Sequence, residues 1–326
     1  MSAELKKDIL ISIVIPVKNG DKWIEKCIQG IIDQTLFPKS EIIVLDSGST
    51  DSTLAILANY PVQVIHIPPN EFNHGLTRNH GVQVAKGKFV VMTVQDANPV
   101  DNRWLEKLLE CFEDEAVAGV CGQQIVPHDI DKNPVDWYLP VSEPAIKIFN
   151  FSKEEFDLFS PDQKAAICSW DNVNAMYRRI SLLQIPFRNS LFGEDAIWAL
   201  DAIQMGKTIV YQPSARVFHY HNENRDFVFK RHFTTNYFRY IYFGVIPAKP
   251  KLTLRRRISI IKIIFFRTKN ISLRNRCLWW KYNIERFKGK SDAYKIFIES
   301  IKISKEELDA VHEKYCGIPP LAPKSK

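Results

Sequence analysis

The chain has 326 residues, 45% of them hydrophobic and 25% charged, which excludes an intrinsically disordered protein and allows a sizeable core. No stretch approaches the roughly 20 uncharged apolar residues that span a bilayer, and "MSAELKKDILISIVIPV" lacks a signal-peptide cleavage pattern, so a cytoplasmic chain is expected. The net charge of +7 is local: residues 249–290 hold fourteen Lys or Arg against the single acid Glu285, a window of +13 that leaves −6 elsewhere.

In chain order, "ILISIVIPVKN" is an apolar, β-branched run closed by Pro16 and Asn19 and predicts the first strand. "DKWIEKCIQGIIDQT" places Trp23, Ile24, Cys27, Ile28, Ile31 and Ile32 at helical spacing. "SEIIVLDSGSTDSTLAILANY" predicts a strand through Leu45, a turn rich in Asp, Gly and Ser, and a helix from about Ser52. There follow a strand "VQVIHIP", a helix "GLTRNHGVQVAKG" closed by Gly87, a strand "KFVVMTVQDA", an amphipathic helix "DNRWLEKLLECFED" and a strand "VAGVCGQQIV". This alternation predicts an α/β fold with a mostly parallel central sheet flanked by helices. Past Pro127 the pattern loosens into loops and short helices, and order returns with "NVNAMYRRISLLQIPF", a helix from about Glu194 ended by Gly206, and a strand "KTIVYQP". The expected division is one domain over residues 1–225 and an aromatic, basic helical extension over 226–326. Six cysteines, at positions 27, 111, 121, 168, 277 and 316, show no Cys-x-x-Cys and no short Cys/His spacing, so reduced, mostly buried thiols are expected.

Ligands of an open α/β sheet sit outside the carboxyl ends of its strands. Three acidic features fall at such places: Asp46 after "EIIVL", Asp96 after "FVVMTVQ", and the pair Glu194/Asp195 at a loop-to-helix boundary. Asp46 and Asp51 in "DSGSTD" suit either a ligand or the amides of a turn and a helix start. An acid that closes an apolar strand, as Asp96 does, must be paired, exposed or metal-bound. Glu194 and Asp195 are favourable at a helix N-terminus with or without chemistry. His74 and Arg78, four apart, share a helix face, so Arg78 meets an anionic ligand, pairs with Asp46 or Asp96, or faces solvent.

Together, "SIVIPVKNG", "IIVLDSGSTDST", "FNHGLTRNHGVQVAKG", "QDANP" and "NVNAMYRR" resemble, in the same order, the family 2 glycosyltransferases of the GT-A (nucleotide-diphospho-sugar transferase) fold, over about residues 9–225. The last three are similar to the branch of bacterial polysaccharide rhamnosyltransferases. The resemblance implies a nucleotide-sugar-binding half over about residues 1–126 and an acceptor-binding half over 127–225. It implies donor contacts at Pro16, Asn19, Asp46, Gly48, Asp51, Asn73, His74, Arg78, Gln95 and Asp96, with Asp46 reading a pyrimidine base. Asp96 matches the main carboxylate of an Asp-x-Asp motif that holds a divalent cation, Mg²⁺ or Mn²⁺, and His219 resembles the histidine that completes such a site, although it reads equally as a packed imidazole.

The motif departs from its pattern, since Gln95-Asp96-Ala97 carries one acid. Either Asp96 holds the metal with phosphate oxygens, water and a distant ligand, or metal dependence is weaker than in relatives. "FGEDAIWAL" matches the Glu-Asp element of the class, with Asp195 as the base and Glu194 orienting the acceptor or the loop. One base and no enzymic nucleophile imply single displacement with inversion. Trp170, Asp171 and Asn172 offer an aromatic face and polar groups for a sugar acceptor, while Trp170 reads equally as core. The implied reaction moves L-rhamnose from dTDP-L-rhamnose to a lipid-linked saccharide in bacterial surface polysaccharide (O-antigen or capsule) synthesis. The alternatives are another hexose from a UDP donor, and a non-catalytic scaffold in a polysaccharide assembly complex.

The window "PKLTLRRRISIIKIIFFRTKNISLRNRCLWWKYNIERFKGK" interleaves basic residues with Ile, Phe and Trp. It suits either a membrane interface or a helical pair packed back on the catalytic domain. A nucleic-acid partner is not expected, because no module motif is present and the apolar content exceeds what phosphate binding needs. Lipid-linked acceptors of the related enzymes favour a peripheral position at the inner face of the membrane. The last helix and the Pro-rich tail also suit a homo-oligomer.

Overall fold

The structure is a computed structural model that describes residues 8–138 and 145–317; the Pro-rich tail lies outside the described residues. These residues form two compact units, one of residues 8–124, 145–190 and 194–219 and one of 125–138, 191–193 and 220–317. The stretch 125–138, within the expected acceptor-binding half 127–225 from Pro127 on, groups with the C-terminal helices.

The first unit is built on a nine-stranded sheet. Its strands are β1 (Ile11–Val17), β2 (Ser40–Asp46), β3 (Val62–His66), β4 (Phe89–Met92), β5 (Asn98–Pro99), β6 (Val117–Ile125), β7 (Lys147–Phe149), β8 (Ala175–Arg178) and β9 (Thr208–Phe218). They lie in the order β3-β2-β1-β4-β8-β6-β9-β5, with β7 paired to β9. The run β3-β2-β1-β4 is parallel, and the near-continuous apolar sequences of β1, β2 and β4 follow from burial on both faces. From β8 onward strands join antiparallel: β8 pairs with β4 and with β6, and β5 and β7 each pair with β9. Pro16 lies past the end of the β1–β4 ladder, which stops at Val14 and Met92, so its missing N–H interrupts no bond there. The core of this unit gathers Ile13, Ile15, Ile28, Val44, Val91 and Trp104 from β1, β2, β4 and the flanking helices Ile24–Ile32 and Trp104–Leu109.

All four parallel strands end at one edge of the sheet, which brings the loops after Val17, Asp46, His66 and Met92 to that edge. The helix His74–Val84 and the helix Glu194–Gln204 also belong to this unit.

The second unit is helical: Arg225–Phe243, Leu254–Ile261 continued by a π-helical turn Lys262–Arg267, Leu273–Ile303 and Lys305–Cys316. One cluster closes around Phe233, Phe297, Ala293 and Leu308. A second joins Val135 to Ile260, Ile263 and Ile264. Among the described residues no helix is long and apolar enough to cross a membrane. The six cysteines are free, with only Cys277 exposed.

Candidate active site

The turn after β2 is made by Asp46 itself. Its carboxylate, 1% exposed, accepts the N–H of Gly48 at 3.2 Å and of Ser49 at 3.1 Å, and His66 Nδ1 lies 3.4 Å from it. Gly48 adopts φ +86°, and a Cβ there would also stand 2.7 Å from Pro69, so only glycine fits. Asp46 thus has the turn role that the sequence left open, and Gly48 supplies the backbone it needs, whatever else they contact.

Asn19 and Asp51 tie this turn to the loop after β1. Asn19, at φ +50°, accepts the Thr50 N–H at 2.8 Å and donates its own N–H to Ser49 at 2.9 Å. Asp51 accepts the N–H of Thr53 at 3.0 Å and of Asp21 at 3.2 Å, and the Thr53 hydroxyl. Desolvation works to raise the Asp51 carboxyl, but these bonds outweigh it and hold it below the usual value.

Gln95 explains the departure from Asp-x-Asp. Its amide accepts the Lys18 N–H at 2.8 Å and donates to the Lys18 carbonyl at 3.2 Å, a two-way clamp on the loop after β1. A carboxylate has no proton with which to make the second bond. Gly20 lies against it: a Cβ there would stand 2.9 Å from Gln95 Oε1 and push the amide aside.

Asp96 and His219 lie together, with Oδ1 3.6 Å from Nε2, and both belong to the cluster of potential metal ligands among the described residues. His219 Nδ1 is 2.6 Å from Gln124 Oε1. Gln124 accepts there through its oxygen, so Nδ1 is the nitrogen engaged by Gln124 and Nε2 is the one that faces Asp96, where it could bind a metal. A carboxylate oxygen and an imidazole nitrogen held this way suit Mg²⁺ or Mn²⁺ completed by phosphate oxygens. Cys27 is buried near Asp96; burial and then the Asp96 charge push its thiol up, so it stays protonated. Replacing Gln124 by Leu frees the imidazole to turn or to change tautomer, and we expect a loss of about 10- to 100-fold in Mn²⁺ affinity by calorimetric titration. Unchanged affinity would remove Gln124 from this role.

The acids of the helix Glu194–Gln204 meet a second network. Glu194, 6% exposed, accepts Arg78 at 2.7 Å and the Asn172 side-chain amide at 3.3 Å. Arg78, 4% exposed, also donates to the His74 carbonyl at 3.2 Å. Of the outcomes the sequence allowed for Arg78, neither Asp46 nor Asp96 is its ion-pair partner; Glu194 is. Asp195 is partly buried and accepts the Asn172 N–H at 3.3 Å and the Ala196 N–H at 2.7 Å. Desolvation, then the charges of Glu194 and Asp171, raise its carboxyl well above the usual range, with Arg78 pulling the other way. Desolvation and the Arg78 charge lower the His74 imidazole.

Behind the acids, Trp170 donates its indole N–H to Tyr177 at 2.7 Å, and the Tyr177 hydroxyl donates to Asn172 Oδ1 at 2.5 Å. Trp170 is 7% exposed and tilted against Trp198 at 5.5 Å, which leaves little ring face for a sugar; its place is the core option. Asn172, 2% exposed, orients both acids from behind. Asp171 accepts the Val173 N–H at 2.8 Å and remains partly exposed. Asn73 caps the helix His74–Val84 by accepting from Gly75 at 3.0 Å and Leu76 at 3.1 Å, and its amide donates to Asn189 and Ser190.

Tyr177 and Gln124 were missed from sequence. Two glutamines closing the apolar strand "VAGVCGQQI" were the available signal for the second. For Tyr177 the signal was its place in "NVNAMYRR"; the structure sets it in register with Gly119 on β6.

The sheet with its strand-end carboxylates, and the helix Glu194–Gln204 set against it in the same unit, are those of the GT-A fold of glycosyltransferases. The chain belongs to glycosyl transferase family 2, whose model matches residues 12–183. It is 35% identical over 240 residues to the O-antigen chain rhamnosyltransferase WbaN of Salmonella anatum, covering 70% of this chain and 71% of that protein. It is 30% identical over 237 residues to the O-antigen chain rhamnosyltransferase RfbN of Salmonella typhimurium, covering 70% and 72%. In fold it is similar to the mannosyltransferase PcManGT of Pyrobaculum calidifontis, solved with GDP-Man and Mn²⁺, at TM-score 0.53 and 16% identity over 93% of this chain and 78% of that one.

Proposed function

We propose that this glycosyltransferase moves L-rhamnose from dTDP-L-rhamnose to a lipid-linked saccharide acceptor, with inversion, in bacterial O-antigen or capsule synthesis. The observation that carries the mechanism is Asp195: a carboxylate fixed by two backbone N–H groups, with its affinity for a proton raised by burial and by Glu194 and Asp171. The sugar and the pathway rest on the relatives at 30–35% identity, both of them O-antigen chain rhamnosyltransferases.

In this reading Asp195 takes the proton of the acceptor hydroxyl as its oxygen bonds to the anomeric carbon, and the bond from that carbon to the β-phosphate oxygen breaks. A β-L-rhamnosyl donor then gives an α-linked product. Asp46, Asp51, Asn19 and Gln95 hold the loops that form the donor site. Asp96 and His219 would hold a divalent cation, which when bound would offset negative charge on the leaving diphosphate.

The test incubates the full chain with dTDP-L-rhamnose, UDP-glucose or UDP-galactose, a panel of lipid-linked saccharides, and Mg²⁺ or Mn²⁺, and follows nucleoside diphosphate release. Acceptor-dependent dTDP release supports the assignment. Release only from a UDP-sugar rejects rhamnose and keeps the mechanism; no release and no donor binding turns the reading to a scaffold. In the active case, Asp171→Asn removes one of the charges that raise Asp195. The low-pH limb of the rate profile is then expected to move to lower pH, with little change at the plateau. A limb that stays in place excludes Asp195 as the group it reports.

A further inference from the structure

The helical segment Leu254–Arg267 carries two apolar faces, and only one is used. Ile260, Ile263 and Ile264 point inward, where they meet Val135 and the partly buried Trp279 and Trp280. The segment is held firmly at both ends. Thr253 caps it by accepting the Arg256 N–H at 3.2 Å, and the Arg276 guanidinium takes the carbonyls of Ile264 and Thr268.

The second face looks to solvent. Leu254, Ile258 and Ile261 recur at i, i+4 and i+7, so they form one stripe, and they are 73%, 55% and 38% exposed. At about 100° per residue, Arg257 flanks one edge of that stripe, and Arg255 with Lys262 flanks the other. All three basic side chains are exposed. Phe266, 79% exposed, extends the apolar surface beyond the stripe.

We propose that this face docks on an anionic lipid bilayer, with Leu254, Ile258, Ile261 and Phe266 entering the acyl boundary and the flanking cations meeting acidic headgroups. Charge selects this occupant. The chain carries no acid from Phe227 to Ile284, so a second copy meeting this face with its own would set arginine against arginine. A nucleic-acid surface would be met by the cations, but it gives a central apolar stripe nothing to enter. Apolar residues along the middle and cations along both edges are what an interfacial helix requires. In this proposal the chain lies on the membrane through this face; no described helix is long and apolar enough to cross one.

This surface owes nothing to the identity of the sugar or the base, and its test reads binding alone. The full chain is sedimented with vesicles of phosphatidylcholine mixed with phosphatidylglycerol, and with vesicles of phosphatidylcholine only. Binding to the first, weakened by salt and lost on the second, is the expected result. Ile258→Glu is fully tolerable to the fold because the side chain is solvent-exposed, and it is expected to lower the partition coefficient about tenfold or more. Arg255→Glu with Arg257→Glu lowers it further, while donor binding stays at the wild-type level in both variants. The proposal is overturned if the wild type ignores phosphatidylglycerol vesicles, or if Ile258→Glu binds them as the wild type does. It is overturned also if light scattering shows a dimer that Ile258→Glu dissociates and no vesicle binding, for the face would then belong to a second copy.

Discussion

Asp195→Asn is expected to keep dTDP affinity, to lose transfer by about 10²- to 10⁴-fold, and to gain thermal stability. The first two follow from the amide's shape and its lack of basicity: Asn still accepts the Asn172 and Ala196 N–H groups but takes no proton from a hydroxyl. The gain follows from linkage. Asp195 has a folded-state pKa raised above its unfolded value by desolvation and by Glu194 and Asp171, so the folded protein holds the proton more tightly than the unfolded chain. Below the ordinary carboxylate range both states are protonated and wild type and variant match. As pH rises from that range through the raised folded value, wild type loses stability and the variant does not. Melting curves over a pH series therefore diverge upward, with Asn the more stable at neutral pH. A variant with full activity excludes Asp195 as the base, and a constant difference in melting temperature across the series contradicts the raised pKa.

The elements of this site were only half legible in the sequence. The strands β1, β2 and β4 were readable because burial on both faces leaves an unbroken apolar run, and Asp46 and Asp96 because an acid after such a run marks a strand end. The insertion of β8 between β4 and β6 was not, since pairing direction depends on where a returning chain lies, and a short buried strand looks alike in either sense. Residue type also hid the partner. Gln95 stood where a metal-binding acid was expected, and its clamp on Lys18 joins positions 77 apart in sequence. Trp170 has the composition of a sugar platform, yet its indole is spent on Tyr177. The local signals picked out acids that the fold places at strand ends and at the start of the helix Glu194–Gln204, while long-range pairing decided which side chains hold the loops.

Arg78 is where the two interpretations diverge most in consequence. On sequence it belongs to the donor; in the fold its guanidinium and the Glu194 carboxylate form a buried pair at 2.7 Å, side chains 4% and 8% exposed. Removing one partner of such a pair strands the other charge in the interior, at a cost of about 3–5 kcal/mol. Arg78→Met is therefore expected to lower the melting temperature by roughly 6–20 °C, taking about 2–4 °C per kcal/mol for a domain of this size. The double variant Arg78→Met with Glu194→Leu removes both charges and is expected to recover most of that loss. Loss of the positive charge also deepens the elevation of Asp195, so the low-pH limb of any residual activity moves to higher pH, opposite in sign to Asp171→Asn. Affinity for dTDP separates the interpretations: a structural pair leaves it unchanged in the folded variant, whereas a guanidinium on the diphosphate costs binding in both the single and the double variant. Unchanged stability with lost dTDP affinity would return Arg78 to the donor.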